Sequence, residues 1–206
     1  GLLLPLTLII MLSMGATYPA IDTTAGERER STWETILSTR ASRGDLMLAK
    51  YLYVSTMALI AGALNLLAMI LSMKGILAPM AARSAEGFSF GIPPQSIPLI
   101  LLVAALLALF VSAGMMILAS FARTFKDGQS MTTPFLMITM IPVMFLSSPG
   151  IEFTMALALV PIVNVALVLR EAVAGVYRWP QIGVTIAVEA VCVVLALRLA
   201  TAITRH

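Results

Sequence analysis

Long stretches without a single Asp, Glu, Lys or Arg dominate this chain. In hydrocarbon such a stretch can satisfy its backbone only as a helix or within a closed barrel, and a helix needs about 20 apolar residues to cross a core of ~30 Å. The stretches cover 1–21, ended by Asp22; 51–73, bracketed by Lys50 and Lys74; 97–122, ended by Arg123; 128–151; and 153–169. A sixth, between Arg178 and Arg198, is interrupted only by Glu189. Composition agrees, with 60% of residues hydrophobic and 11% charged, against about 25% charged in an ordinary soluble domain. The chain lacks the polar surface to cover a water-exposed globule. The reading is an all-α, polytopic transmembrane helix bundle forming one domain over 1–206. About five helices span, at 1–21, 50–73, 97–122, 134–149 and 180–200, joined by a re-entrant helical hairpin at 153–172 and a short cytoplasmic amphipathic helix within 26–45.

Prolines shape the second half. Pro134, Pro142 and Pro149 predict a shortened or kinked span within 128–151. The 153–169 stretch is short for a crossing, is broken by Pro161 and carries the polar Asn164. Those features favour a re-entrant hairpin over a span, because broken backbone at membrane depth survives only against protein or a cavity. Orientation follows from the densest basic loop, 22–50, with Arg28, Arg30, Arg40, Arg43 and Lys50, which is expected in the cytoplasm. The chain starts with Gly1 and turns apolar at once, as expected of a fragment whose upstream residues are missing. In the third span, Ala104, Ala108 and Ser112 form a small-residue stripe suited to close helix approach, although a sequence this rich in Ala produces such stripes by chance.

Much chemistry is absent from the sequence. The 13 Lys and Arg are spread through short loops, so no nucleic-acid face is expected. No G-x-x-x-x-G-K-[ST] phosphate cradle occurs. The sole histidine is the terminal His206 and the sole cysteine is Cys192, which excludes H-E-x-x-H zinc sites, Ser–His dyads and cysteine metal cages. No catalytic residue, metal site or cofactor is assigned to this chain.

The most informative stretch is Ala25-Gly26-Glu27-Arg28-Glu29-Arg30-Ser31-Thr32-Trp33-Glu34-Thr35-Ile36-Leu37. Ser31 and Glu34 have capping-box spacing, and Trp33, Ile36 and Leu37 share one helical face, which predicts a short amphipathic helix at the membrane surface. A second helix start follows at Arg43-Gly44-Asp45, with Asp45 as the expected cap. Such a helix could rest on lipid headgroups with Trp33 as anchor. Glu27, Glu29 and Glu34 would repel anionic lipid, however, and alternating charges beside an aromatic suit docking to a soluble protein.

These residues carry a resemblance. A-G-E-R-E-R, S-T-W-E-T-I-L-S-T and S-R-G-D-L-M-L-A-K at 42–50 resemble the cytoplasmic segment of type 2 ABC exporter permeases, most closely the sodium-efflux, NatB-like branch. The similarity continues at 121–130, at Pro149-Gly150-Ile151-Glu152 and at Val160-Pro161-Ile162-Val163-Asn164. Arg40 stands where the family favours a proline, and Ala49 where it favours a glycine. The resemblance implies a transmembrane permease subunit, not itself an enzyme, lacking the family's first helix and its upstream extracytoplasmic insertion. It implies a multi-pass protein of the cell inner (plasma) membrane that exports a substrate, with sodium as the closest suggestion. It also implies a separate P-loop ATPase subunit carrying ATP and Mg, and a second permease copy or homologue completing a dimer. The 26–45 segment would then be a coupling helix, with Glu27, Arg28, Glu29, Arg30, Trp33 and Glu34 contacting the ATPase.

Three polar residues inside predicted spans mark a candidate substrate path. Asn65 lies mid-span and is expected to hydrogen-bond another helix or meet substrate. Asn164 is expected to satisfy backbone near Pro161 rather than bind substrate. Glu189 would either line a cation path or be hydrogen-bonded in the bundle. Two rival classes rest on it: an ion-coupled carrier, or an intramembrane enzyme or assembly factor also using Glu152.

Overall fold

The computed structural model describes residues 3–32, 35, 42–81, 93–146 and 152–203, and every regular element among them is helical. The order is α1 (Leu3–Ile21), a π-helical turn (Asp22–Gly26), α2 (Glu27–Glu29), α3 (Arg43–Ala81), a 3-10 turn (Pro94–Ser96), α4 (Ile97–Ser120), α5 (Phe125–Leu146), α6 (Met155–Ala158), α7 (Val163–Val173) and α8 (Trp179–Ile203). Among the described residues, four stretches are long and apolar enough to cross a membrane: Leu4–Glu29, Arg43–Ser72, Pro94–Ser120 and Trp179–Ala200. Helix α5, 22 residues long, matches them in length but opens with Lys126, Asp127 and Gln129.

The first span is longer than its apolar run. Pro19 sits inside α1, and the helix widens just after it, where Thr23 and Thr24 donate to the carbonyls of Pro19 (2.8 Å) and Ala20 (2.6 Å). Such widened turns accommodate backbone groups that a proline disturbs. The helix then continues through Glu29 and stops in a Schellman turn. Thr32 N–H donates to Glu27 C=O and Ser31 N–H to Arg28 C=O, with Ser31 at φ 57°. Ser31 therefore ends the first helix rather than capping a new one. The expected amphipathic helix falls mainly on Trp33, Glu34 and 36–41, outside the described residues.

Two further boundaries differ from the sequence expectation, each because of a cap. Helix α3 is capped by Ser42, whose Oγ accepts from Asp45 N–H (3.1 Å) and donates to Asp45 Oδ2 (2.6 Å); Asp45 is thus the third residue of the box and not the cap. Helix α5 begins at Phe125, nine residues before the expected 134, because Thr124 Oγ1 accepts from Asp127 N–H (3.2 Å). It then runs unbroken through Pro134 and Pro142.

Helices α1 and α4 form the centre. Helix α1 packs along α3, α4 and α5, and α4 also meets α5, α7 and α8. The α1–α3 contact is close because small residues line it. A Cβ on Gly15 would lie 2.6 Å from Ala61 Cβ, and one on Gly62 would strike Leu12. Ala104, Ala108 and Ser112 of the small-residue stripe are all buried. The outward faces of α3 and α8 are apolar, exposing Leu52, Leu64, Leu71, Val191, Leu195 and Leu199, which suits contact with lipid.

Segment 152–178 enters and leaves by one end of the bundle. Arg178 binds Phe153 C=O (3.4 Å) and Glu171 (3.4 Å), closing the segment on itself. Ser96, at the start of α4, donates to Ala172 C=O (2.6 Å) and shares a hydrogen bond with Tyr177 (2.6 Å). Both helices of the segment are too short to cross ~30 Å, since α7, the longer, has 11 residues.

Candidate coupling site

At the opposite end, four consecutive charged residues close the bundle. Successive helical residues point about 100° apart, so Glu27, Arg28, Glu29 and Arg30 fan out in different directions. Glu27 forms an ion pair with Lys50 of α3, and Lys50 also donates to Thr23 C=O (2.7 Å). This pair is mostly enclosed, with side-chain exposures of 8% for Lys50 and 17% for Glu27. Arg28 donates to the carbonyls of Ser120 (2.6 Å) and Ala122 (3.3 Å), at the C-terminal end of α4. Glu29 accepts the N–H of Phe125 (2.6 Å), the first residue of α5. Arg30 folds back on its own helix, pairing with Asp22 and donating to Gly26 C=O (3.1 Å).

The signs of these charges suit their positions. A helix leaves unpaired carbonyls at its C-terminus and unpaired N–H groups at its N-terminus. Arg28 places a cation on the first kind and Glu29 an anion on the second, each favoured by the local helix dipole by about 0.3–1 kcal/mol. Close packing reinforces the junction. A Cβ on Gly128 would sit 2.6 Å from Ile21 Cγ2, and the rings of Tyr18 and Phe125 lie 5.4 Å apart. One short stretch therefore ties α3, the end of α4 and the start of α5 to the first span. Arg28, Glu29 and Arg30 keep exposed surface. Trp33 and Glu34, which complete the expected docking set, lie outside the described residues.

Compared with protein families, residues 1–202 fit the ABC-2 family transporter protein family. The chain belongs to the ABC-2 transporter family. Among characterised proteins it is similar to the ABC transporter permease protein NatB of Bacillus subtilis (strain 168), at 27% identity over 175 residues. That alignment covers 84% of this chain and 44% of the relative, so the chain spans under half of that protein's length. No solved structure matches. The resemblance to ABC permeases read from its motifs stands.

Of the three polar residues of the expected substrate path, Asn164 and Glu189 both bond to main chain at the break between α6 and α7, and Asn65 lies on α3. Asn65, on α3, is half-buried and its Oδ1 has no partner; the interhelical hydrogen bond expected of it is not formed by that atom. Asn164 is fully buried and works on backbone: Nδ2 donates to Ala158 C=O (3.1 Å), and Oδ1 accepts from Val165 N–H (2.7 Å). Glu189 is fully buried on α8, where Oε1 accepts from Ile162 N–H (3.1 Å) and Oε2 has no partner. Glu152, named with Glu189 in the enzyme alternative, lies exposed just before α6. Among the described residues, no group of His, Cys, Asp and Glu could hold a metal ion.

Several residues of these sites escaped the sequence reading. Lys50 was legible only as the edge of a span, although a lysine at the inner edge of a packed helix demands a partner. Ser120, Ala122 and Phe125 contribute main-chain groups, which leave no signature in side-chain chemistry. Glu171, near the closed end of 152–178, is pushed above the usual carboxylate range by burial, while Arg178 and Arg170 pull it down.

Proposed function

We propose that this ABC-2 chain is the permease subunit of an ATP-driven exporter in the cell inner membrane. ATP would be hydrolysed on a separate P-loop ATPase, and a second permease copy or homologue would complete the pathway. What supports this reading is the Glu27–Arg30 fan. A force applied beside it reaches α1, α3, α4 and α5 together, because each is held through an ion pair or a helix-end hydrogen bond. Closure of the ATPase against the segment from Arg28 to Glu34 would then reorient the whole end of the bundle and alternate access between its two sides. Segment 152–178 fits a re-entrant hairpin on the extracytoplasmic side. Sodium is the proposed substrate, on the resemblance to sodium-efflux permeases, with Asn65 and Glu189 as polar positions along its path.

The test is purification of the tagged full-length protein in mild detergent, with mass spectrometry for a co-purifying P-loop ATPase. The expected result is a stoichiometric ATPase that is lost in Trp33→Ala/Glu34→Arg and kept in Glu171→Gln. An intact permease that never carries an ATPase refutes the proposal. A second reading, an ion-coupled carrier centred on Glu189, draws on the unpaired buried Oε2 of that residue. It requires ion flux without nucleotide, and nucleotide-dependent flux in reconstituted vesicles sinks it.

A further inference from the structure

The break between α6 and α7 splits one main-chain hydrogen bond and gives each half to a side chain. In a continuous helix, Ile162 N–H would pair with the carbonyl four residues back, that of Ala158. Here Ile162 N–H donates to Glu189 Oε1 (3.1 Å), and Ala158 C=O accepts from Asn164 Nδ2 (3.1 Å). Pro161 makes the break understandable, since it lacks an N–H and its ring crowds the carbonyl of Leu157. That carbonyl accepts instead from Val160 N–H (3.2 Å) in a tighter turn. Beyond the break, Asn164 N–H donates to Val160 C=O and Ala166 N–H to Ile162 C=O, so the helical ladder resumes at once.

The broken state is costly to hold. Ile162 sits at φ 72° and ψ −51°, where a β-branched side chain is strained. Glu189 Oε2 and Thr185 Oγ1, one turn apart on the same face of α8, are both buried without partners. An unpaired buried polar atom is destabilising, which narrows the gap to any state that frees these groups. The break also lies deep in the bundle. Glu189 is 11 residues along α8 from Arg178 at the closed end, or about 16 Å at ~1.5 Å per residue.

We propose that Glu189 and Asn164 are positioning residues that latch a two-state hairpin. With the latch engaged, 155–173 is the observed broken pair of helices. With it released, Ile162 N–H pairs with Ala158 C=O, and the segment becomes one helix about 28 Å long, close to the ~30 Å thickness of a hydrocarbon core. Pro161 is no bar to the joined helix, because this chain already carries Pro19, Pro134 and Pro142 inside helices. The latch is independent of the Glu27–Arg30 fan and of any ATPase partner.

The distance across the segment tests the proposal. Spin labels on Met155→Cys and Val176→Cys, both at exposed positions, are placed in the full-length protein in lipid nanodiscs with Cys192→Ala. The latched hairpin keeps its ends together, since Phe153 and Arg178 touch, and gives a single short distance. Removing the acceptor in Glu189→Leu should add a population near 30 Å, the length of the joined helix, whereas Glu189→Gln, which keeps an acceptor oxygen, should restore the single short distance. Asn164→Ala should act like Glu189→Leu and carries the test if the latter fails to fold. A single short distance in Asn164→Ala, and in Glu189→Leu where that variant folds, overturns the latch. A long population that Glu189→Gln does not suppress also overturns it, because the role would then belong to charge and not to the hydrogen bond.

Discussion

Lys50→Met isolates the energetics of the charged end. The substitution keeps an unbranched chain of similar length but removes the cation that Glu27 and Thr23 C=O share. Deleting one member of a buried pair costs about 3–5 kcal/mol, chiefly because the other charge is left uncompensated. Glu27 retains 17% exposure and so keeps some solvation, which places the expected loss at about 2–3 kcal/mol. For a chain of this size, 1 kcal/mol moves the thermal midpoint by about 2–4 °C, giving a drop of about 4–12 °C. Arg30→Ala supplies the contrast. It breaks the Asp22 pair, whose side chains are 58% and 37% exposed, and such pairs contribute at most about 1 kcal/mol. Adding Glu27→Gln to Lys50→Met removes the orphaned charge, and the double variant should recover about half of the loss. The assay is thermal unfolding of the purified protein in one detergent, read by fluorescence-detected gel filtration. Equal midpoints for Lys50→Met and Arg30→Ala, or no recovery in the double variant, would refute the enclosed pair as the dominant tie.

Three other outcomes follow from local geometry. Ser31→Gly should raise the thermal midpoint by about 1–4 °C, because a left-handed residue costs an L-amino acid roughly 1–2 kcal/mol and glycine much less; Ser31→Val should lower it. Gly15→Leu should lower the midpoint by about 2–12 °C through overpacking against Ala61, while Gly183→Ala, with open space at its Cβ, should leave it unchanged by that mechanism. Glu171 is held above its ordinary range by burial, so the folded chain binds this proton more tightly than the unfolded one. Stability should therefore fall as pH rises from about 4.3 through the raised value, and Glu171→Gln should flatten that decline in a midpoint-against-pH series.

Elements set by local physics were legible in the sequence. Charge-free runs predicted about five spans, of which four coincide with helices long and apolar enough to cross a membrane among the described residues, and Pro161 beside Asn164 marked a break that the structure puts at 159–162. Capping patterns were legible in kind and misassigned in detail. The helix start at 43–45 was legible, but the cap is Ser42 and not the expected Asp45, which bonds back to it from the first turn. Thr124 and Asp127 extend α5 well ahead of its apolar run. Ser31 and Glu34 have the spacing of a helix start, yet the Schellman bonds from Thr32 and Ser31 make Ser31 a stop. A two-residue pattern cannot distinguish these cases, because the deciding fact is whether the preceding helix is still running. Here the widened turn after Pro19 keeps it running through Glu29.

The partners of Glu27, Arg28 and Glu29 lie 23 to 96 residues away in sequence, beyond any periodicity argument. That separation has a physical cause. Where two helices meet at a short turn, their terminal carbonyl and N–H groups need partners, and the turn from 121 to 124 is too short to supply them all. A neighbouring helix that ends at the same level can supply them, provided that it presents a cation and an anion side by side. The alternation of sign in Glu27-Arg28-Glu29-Arg30 thus has a reason internal to the fold, which any external docking must share. Lys50→Met and Glu29→Arg would therefore disturb the bundle itself, through the ties to α3 and α5.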